Sequence, residues 1–142
     1  MPTTEVSRTL AVPTDALWGL VRAFGDLSWV PGDPKVEIRG EGVGQVRIID
    51  QPYGQVHEQL TSLDDEARSL TDVVPQGNPV PVTDYEARIT VRDDGGKGRL
   101  TWWCRFEPDG VSDGVSEEEA ARDFERRYRG AIQVIEGHLK GR

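Results

Sequence analysis

The chain has 142 residues, a formal net charge of −8 and an isoelectric point near 4.8, which suits one domain over residues 1–142 with a single core. The acidic balance disfavours nucleic acid and anionic membranes as partners, because phosphate groups require a basic surface. Cys104 is the only cysteine and excludes an internal disulfide, so we expect a reducing, cytoplasmic location. No apolar run approaches the ~20 residues that span a bilayer, and membrane insertion is not expected.

The N-terminal segment has the pattern of a strand followed by a short helix. Residues 5–12 alternate, so that one face carries Val6, Arg8, Leu10 and Val12. Pro13 fixes φ, and Thr14 and Asp15 supply capping groups, which together predict a helix start. The inner face of this helix would carry Leu17, Leu20, Val21 and Phe24. We expect residues 27–34 to form a short helical turn and a loop that carries Trp29.

Six further strands are predicted from period-two alternation. They fall near residues 36–39, 45–48, 56–63, 70–74, 82–92 and 100–107. Three prolines between residues 75 and 81 and a polar turn at 93–98 interrupt the pattern. The faces expected to point inward carry Val46 and Ile48, then Tyr85, Ala87, Ile89 and Val91, then Leu100, Trp102, Cys104 and Phe106.

A long helix is predicted at the C-terminal end. Ser116 with Glu119 three residues later forms a capping box. Residues 110–114 would be a loop before it. The apolar stripe that follows has helical spacing and consists of Ala120, Phe124, Tyr128, Ala131, Ile132, Ile135 and Leu139. A lone helix has to bury such a stripe, so we expect an α+β fold in which a curved, seven-stranded antiparallel sheet wraps around the helix and encloses a cavity.

Glu58 is the strongest candidate for chemistry. It has the same parity as Val56 and Leu60, so a strand that buries those two residues points Glu58 inward. An ionised carboxylate in an apolar interior costs several kcal/mol unless it is hydrogen-bonded, paired or protonated. Each of these states suits a catalytic or ligand-binding acid. The alternative is that a slip or bulge turns Glu58 to solvent.

Other inward positions carry aromatic and charged side chains. Tyr85 and Tyr128 would line a pocket with their hydroxyl groups, or would be core tyrosines that reach solvent. Trp29, Trp102 and Phe124 would supply flat walls for an aromatic ligand, or would only fill the core. Arg8 has inward parity, so it would neutralise Glu58 or, near the strand end, extend to solvent.

Metal, nucleotide and hydrolase motifs are not evident. The glycines at positions 40, 42 and 44 join two predicted strands, whereas phosphate binding needs a helix N-terminus after the glycines. His57 and His138 have no metal-ligand spacing with Cys104, and no nucleophile elbow occurs. We therefore expect no cofactor and no metal.

Seven short segments of the chain carry a familiar pattern: Val12-Pro13, Trp18-Gly19-Leu20-Val21, Gly40-Glu41-Gly42-Val43-Gly44, Glu58-Gln59-Leu60, Leu63-Asp64-Asp65-Glu66, Thr83-Asp84-Tyr85 and Ser116-Glu117-Glu118-Glu119. With the order of elements, they resemble the SRPBCC superfamily, whose members have the helix-grip fold. The likeness covers nearly the whole chain and is strongest to bacterial polyketide cyclase/dehydrase-type proteins, with plant abscisic-acid receptors more distant.

The resemblance implies positions for the site. Glu58 and Tyr85 match pocket residues of the receptors, and Phe124, Tyr128 and Ile132 match the helix face that closes the pocket. The gate loop of the receptors is replaced by residues 50–55 and their latch by residues 79–81, so a gated hormone switch is not expected. The lysine with which the receptors bind a carboxylate has no clear counterpart here, since the nearby Lys35 is expected to point outward. Cys104 and Arg105 compete for an inward position, and alternation favours Cys104.

These patterns predict a domain that binds a small hydrophobic molecule, aromatic or polyketide-like. In the enzyme hypothesis it is a cofactor-independent polyketide cyclase/dehydratase, in which Glu58 is the general acid or base and Tyr85 orients or protonates a carbonyl. In the alternative it is a non-catalytic carrier or sensor of a small lipid-like molecule. A third hypothesis fills the cavity with core side chains. The expected ligand-binding residues are Trp29, Val46, Ile48, Glu58, Tyr85, Trp102, Cys104, Phe124, Tyr128 and Ile132.

Overall fold

Strands and helices follow one another in the predicted order. The structure, a computed structural model, describes residues 1–108 and 115–141, and the loop expected at 110–114 lies outside the described residues. The elements are β1 (Thr3–Pro13), α1 (Thr14–Arg22), β2 (Val36–Arg39), β3 (Val46–Gln51), β4 (Gly54–Asp64), β5 (Ser69–Gln76), β6 (Val82–Asp94), β7 (Lys97–Pro108) and α2 (Glu117–Lys140). No helix of the described residues has the length and apolarity needed to cross a membrane.

The strands form one antiparallel sheet in the order β1-β7-β6-β5-β4-β3-β2. The sheet is curved, and α2 lies against its concave face. The predicted α+β helix-grip architecture, with a seven-stranded sheet around a long C-terminal helix, is therefore confirmed.

The core lies between the concave face and α2. The buried stripe of the helix consists of Ala120, Phe124, Tyr128, Ile132, Ile135 and Leu139, and it packs on inward strand residues such as Leu10 and Leu100. The predicted capping box is present, because the Ser116 side chain accepts a hydrogen bond from the Glu119 backbone N–H at 3.1 Å. Helix α2 thus closes the interior with six apolar or aromatic side chains.

Helix α1 is attached to the turn between β4 and β5. The Trp18 Nε1–H donates to Asp65 at 2.9 Å, and Arg22 donates to the same carboxylate at 2.7 Å. Hydrogen bonds from Arg22 and Trp18 hold the pKa of Asp65 below its usual value. These contacts fix the C-terminal end of α1 over the concave face of the sheet, beside a part of the interior that side chains do not fill completely.

The segment 27–34 forms a single turn and a loop, as predicted. The Val30 backbone N–H donates to the Leu27 carbonyl oxygen at 3.0 Å, which closes the turn that carries Trp29. The turn does not continue as a helix, because Gly32 and Asp33 have φ values of 89° and 47°, outside the right-handed helical region. Pro31 and Pro34 also lack the N–H groups that a helix needs.

The inward face of β3 is the opposite of the one predicted. Arg47 pairs with Glu58 and Ile49 with Val56 across the β3–β4 ladder, and these residues face α2. Val46 and Ile48 therefore lie on the outer face, since successive side chains of a strand point to opposite sides. The prediction was wrong because apolar residues occur on both faces of this strand. Ile48 and Ile49 are both buried, so apolarity alone does not identify the inward face.

Candidate functional site

A cavity of about 220 Å³ lies between the sheet and the first half of α2. Its wall comes from β3, β4, β5, β6, β7 and α2 and from two loops, and Tyr53, which is 60% exposed, stands at its mouth. The lining residues are Ile49, Gln51, Tyr53, Val56, Glu58, Val74, Asn78, Pro79, Tyr85, Trp102, Phe124, Arg127, Tyr128 and Ala131. The residues of two loops singled out in the sequence, 50–55 and 75–81, thus contribute to this cavity.

Aromatic rings form one side of the cavity. Trp102 stacks on Tyr128 with 4.8 Å between ring centroids and 13° between planes. Tyr85 stacks on Phe124 with 5.0 Å between centroids and 26° between planes. Such offset pairs hold each ring in one orientation and leave flat apolar surface for a ligand.

The two tyrosine hydroxyl groups meet inside this wall. Tyr85 and Tyr128 share a hydrogen bond. Tyr85 reaches it from a bulge in β6, where the register shifts between Thr83 and Glu86 and Asp84 has a φ of 52°. Burial raises the pKa of both tyrosines, and the Asp72 charge raises that of Tyr85 further. Both phenols are therefore neutral at physiological pH. One hydroxyl donates to the other, so the second keeps its O–H to donate to a ligand oxygen.

An ion pair borders the cavity on the β3–β4 side. Arg47 Nε donates to Glu58 Oε1 at 2.6 Å, and Arg47 Nη1 donates to the Phe24 carbonyl oxygen at 2.7 Å. The guanidinium also lies 3.9 Å from the centroid of the Phe24 ring. Only 14% of the Arg47 side chain and 23% of the Glu58 side chain are exposed. Charge-assisted bonds in such partial burial are stronger than surface pairs, so this pair holds the Glu58 carboxylate in a fixed position at the cavity wall.

A second, smaller void of about 30 Å³ lies deeper, below the end of α1. It is bordered by Arg47, Asp72 and Trp102 among apolar residues of α1, the Trp29 loop, the sheet and α2. Asp72 is 5% exposed. Burial raises its pKa from 3.8 to about 8, the Glu58 and Glu86 charges act in the same direction, and Arg47 opposes them. Asp72 is thus largely protonated at neutral pH.

Five of the predicted ligand-binding residues come together in the larger cavity: Glu58, Tyr85, Trp102, Phe124 and Tyr128. Trp29 borders the smaller void instead. Val46 and Ile48 lie on the outer face of β3, as described above.

Two further predicted residues belong to the core and line neither space. Ile132 and Cys104 are both fully buried, and neither contributes to the cavity or the void. Inward parity selects residues of the interior, and close packing by neighbours then keeps some of them away from any open space. Burial raises the pKa of the Cys104 thiol to about 11, so it stays protonated at neutral pH.

The structure shows where three charged residues point whose orientation the sequence left open. Arg8 extends from β1 to Glu136 of α2, at 2.7 Å, with half of its side chain exposed, and does not contact Glu58. Arg105 faces outward and pairs with Glu86, whereas Cys104 faces inward, as alternation indicated. Lys35 is exposed, and the cation next to Glu58 is Arg47.

Sequence reasoning missed the two ionisable residues that border the inner void, Arg47 and Asp72. Asp72 could have been found, because it has the parity of Leu70 and Val74 in a strand and is therefore an acid on an apolar face. Arg47 could not be found this way, because the apolar residues of β3 do not select one face. Among the described residues, no group of three or more His, Cys, Asp or Glu side chains converges in a way that could hold a metal ion.

A larger concavity of about 700 Å³ lies at the surface beside β5, β6 and β7. It shares Val74 and Tyr85 with the cavity under α2. Its described lining contains no residue of α2, no part of the Trp102–Tyr128 stack and no part of the Arg47–Glu58 ion pair. We therefore take the cavity under α2 as the candidate site, because apolar walls with a few fixed polar groups are typical of small-molecule sites.

Comparison with known proteins gives a family match over nearly the whole chain. A family model described as polyketide cyclase / dehydrase and lipid transport matches residues 1–139. No curated protein matches the chain. Among solved structures, protein XoxI from Bacillus cereus is 26% identical, with a TM-score of 0.83 over 98% of this chain and 96% of that one.

Two further solved structures are similar. A protein from Bacillus thuringiensis described as putative uncharacterized is 25% identical, with a TM-score of 0.78 over 96% of this chain and 98% of that one. Ara h 8.0201 is 17% identical, with a TM-score of 0.76 over 99% of this chain and 98% of that one. The last likeness concerns the fold alone.

Proposed function

The chain belongs to the polyketide cyclase/dehydrase and lipid-transport family, and on that premise we propose that it binds a small hydrophobic molecule with an aromatic or polyketide-like ring. The observation that carries the proposal is the cavity of about 220 Å³ walled by the Trp102–Tyr128 and Tyr85–Phe124 stacks. Family membership supports hydrophobic ligands in general, and the aromatic walls favour a flat one.

The volume of the cavity sets the size of the ligand. An engineered apolar cavity of about 150 Å³ in another protein takes one benzene molecule. The cavity here is about one and a half times as large, which corresponds to a substituted single ring or two small fused rings. A long acyl chain or a four-ring polyketide exceeds this volume unless the loops that carry Tyr53 and Pro79 move apart.

The binding proposal is tested by filling the cavity. Ala131 of α2 lines it and has no role in the ion pair or the tyrosine hydrogen bond. Ala131→Phe places a ring in the cavity and is expected to lower the affinity for tetralin, a two-ring hydrocarbon, at least tenfold in isothermal titration calorimetry. The control is Ala16→Phe, the same substitution at an exposed position of α1. Unchanged affinity in Ala131→Phe, or no tetralin binding by the unmodified protein, would contradict the proposal.

Catalysis of the cyclase/dehydratase type is a second proposal, favoured by the presence of Glu58, Tyr85 and Tyr128 in one cavity. The Glu58 carboxylate would accept a proton from an acidic methylene between two carbonyl groups. A neutral tyrosine hydroxyl would donate a hydrogen bond to the carbonyl that is attacked. The enolate oxygen would attack the distant carbonyl carbon of the bound, folded chain, and the protonated Glu58 would return its proton to the alkoxide that forms. The new hydroxyl group would then leave as water together with a proton from the adjacent ring carbon, which requires no cofactor.

Diacetylacetone, a linear triketone that closes to dimethyl-γ-pyrone with loss of one water, fits the cavity and tests this chemistry. If the protein is an enzyme for such substrates, it accelerates pyrone formation, measured by ultraviolet absorbance, and Glu58→Gln lowers the rate by about 10²–10⁴. Glu37→Gln is the matched control, because Glu37 is paired with Arg39 at the surface. Tetralin binding without any acceleration would leave the carrier or sensor function and exclude this catalysis.

A further inference from the structure

Two buried polar groups beside the inner void have no partner. Trp102 Nε1 is buried without a hydrogen-bond acceptor in the part of the chain that the structure describes. The Asp72 carboxyl group, 5% exposed, makes no hydrogen bond or ion pair with any described residue. Both residues border the same void of about 30 Å³. Leaving buried polar groups without partners destabilises a fold, so two of them beside one space indicate an occupant.

We propose that Asp72 and Trp102 form an inner polar subsite that binds the carbonyl oxygen of a ring ligand held in the larger cavity. This inference rests on the proposed binding function and narrows it to ketone-bearing rings. Trp102 borders both spaces, so a ligand that lies against its indole in the cavity can direct one atom past the ring edge into the void.

The chemistry of the two groups determines which atom fits. The indole N–H is only a donor. The raised pKa of Asp72 keeps the carboxyl group protonated at neutral pH, so it also can donate. Two donors that border one small void are matched by an acceptor with two lone pairs, which a carbonyl oxygen supplies. A space of about 30 Å³ is close to the volume of one water molecule, so it admits an oxygen atom but not a ring.

The ionisable groups around Asp72 do not change this assignment. Arg47 of β3 is held by Glu58 of β4, and Glu86 of β6 is held by Arg105. Tyr85 of β6 and Cys104 of β7 are neutral at physiological pH, because burial raises the pKa of both. The α1 and α2 residues that border the void, Leu20, Val21, Ala23 and Ile135, do not titrate. Asp72 is thus the group whose protonation changes the donors in the void near neutral pH.

The test compares α-tetralone with tetralin, which share the same ring system and differ in one carbonyl group. Neither compound titrates near neutral pH, so the ratio of their dissociation constants isolates the carbonyl contact. We expect the unmodified protein to bind α-tetralone about tenfold more tightly at pH 6.5, as two hydrogen bonds allow. The preference should fall as the pH rises through about 8, because ionised Asp72 cannot donate and repels the oxygen.

Variants assign the preference to the two residues. Trp102→Phe keeps the ring that stacks on Tyr128 but removes the N–H, and Asp72→Leu removes the carboxyl donor; each should reduce the preference to below threefold. Asp72→Asn keeps a donor that does not titrate, so it should retain the preference at all pH values. Circular dichroism and tetralin affinity show whether each variant is folded.

The outcomes separate this inference from the binding proposal. Equal affinity for both compounds in the unmodified protein, or a preference that persists in Trp102→Phe and Asp72→Leu, overturns the subsite and leaves hydrophobic binding in place. A preference that does not change with pH also overturns it, since it excludes protonated Asp72 as a donor. Absence of binding by either compound overturns the binding function and the subsite together.

Discussion

Replacing Asp72 by asparagine should stabilise the protein at neutral and alkaline pH. Burial raises the pKa of this carboxyl group from 3.8, the value in the unfolded chain, to about 8 in the folded protein. The folded state therefore retains a proton that the unfolded state has already lost over this interval. Stability is highest below the unfolded value and is lost as the pH rises toward the folded value.

The size of this loss of stability follows from the interval between the unfolded and folded pKa values of Asp72. Where the folded state binds one proton more than the unfolded state, the free energy of unfolding changes by about 1.4 kcal/mol per pH unit. At pH 7, about three units above the unfolded pKa, the wild-type protein should have lost about 4 kcal/mol relative to acid pH. Asparagine has nearly the same shape and cannot ionise, so the gain from Asp72→Asn should grow with pH to a few kcal/mol.

Urea unfolding followed by tryptophan fluorescence at intervals between about pH 5 and pH 8 measures this difference. All other ionisable side chains are the same in the two proteins, so the difference between wild type and variant isolates Asp72. Asp50→Asn is the control, because Asp50 is exposed at the end of β3, and its curve should run parallel to that of the wild type. If the Asp72→Asn curve also runs parallel, Asp72 is not a protonated acid and the reasoning about the void fails.

Two other substitutions test the scaffold. Gly77→Ala should destabilise the protein by more than about 3 kcal/mol, because φ at Gly77 is 82° and a Cβ would lie 2.1 Å from the Gln55 carbonyl oxygen. Gly95→Ala is the control: φ is 64° in open space, so this variant should lose only about 1–2 kcal/mol of stability. Equal losses of the two variants in thermal unfolding would refute the steric argument. Ser116→Ala removes the cap that accepts from the Glu119 N–H and should lower the free energy of unfolding by about 1 kcal/mol, measured by urea unfolding. Ser116→Asn should keep most of this stability. Wild-type stability in Ser116→Ala would show that the cap contributes nothing.

The fold could be predicted because most elements carry one clear period. The stripe from Ala120 to Leu139 and the alternation from Tyr85 to Val91 each admit one phase only. Strand β3 does not, since Val46, Ile48 and Ile49 allow both phases, and the phase was decided by pairing with β4. The segment at 27–34 was predicted as a helical turn and a loop, and it forms one hydrogen-bonded turn that ends before Gly32 and Asp33, whose φ values are positive.

The site could be predicted in part. Glu58 faces inward as its parity indicated, but its role as an acid or base stays a prediction, and its partner Arg47 followed only from the true register of β3. Parity says which face a residue lies on and not whether neighbours fill the space above it. Cys104 and Ile132 therefore were expected at the ligand and lie in solid packing, whereas Asp72 was overlooked beside a void.

Cys104 gives the molecule a natural reporter of its own opening. It is the chain's one thiol, it has no solvent contact beneath α2, and its raised pKa keeps it in the unreactive form. A thiol-reactive dye can therefore label native protein only in moments when the helix separates from the sheet or the chain unfolds. The labelling rate therefore measures how often the interior opens to solvent. A ligand that holds α2 against the sheet would slow the labelling of Cys104, so ligand binding can be followed without an engineered label.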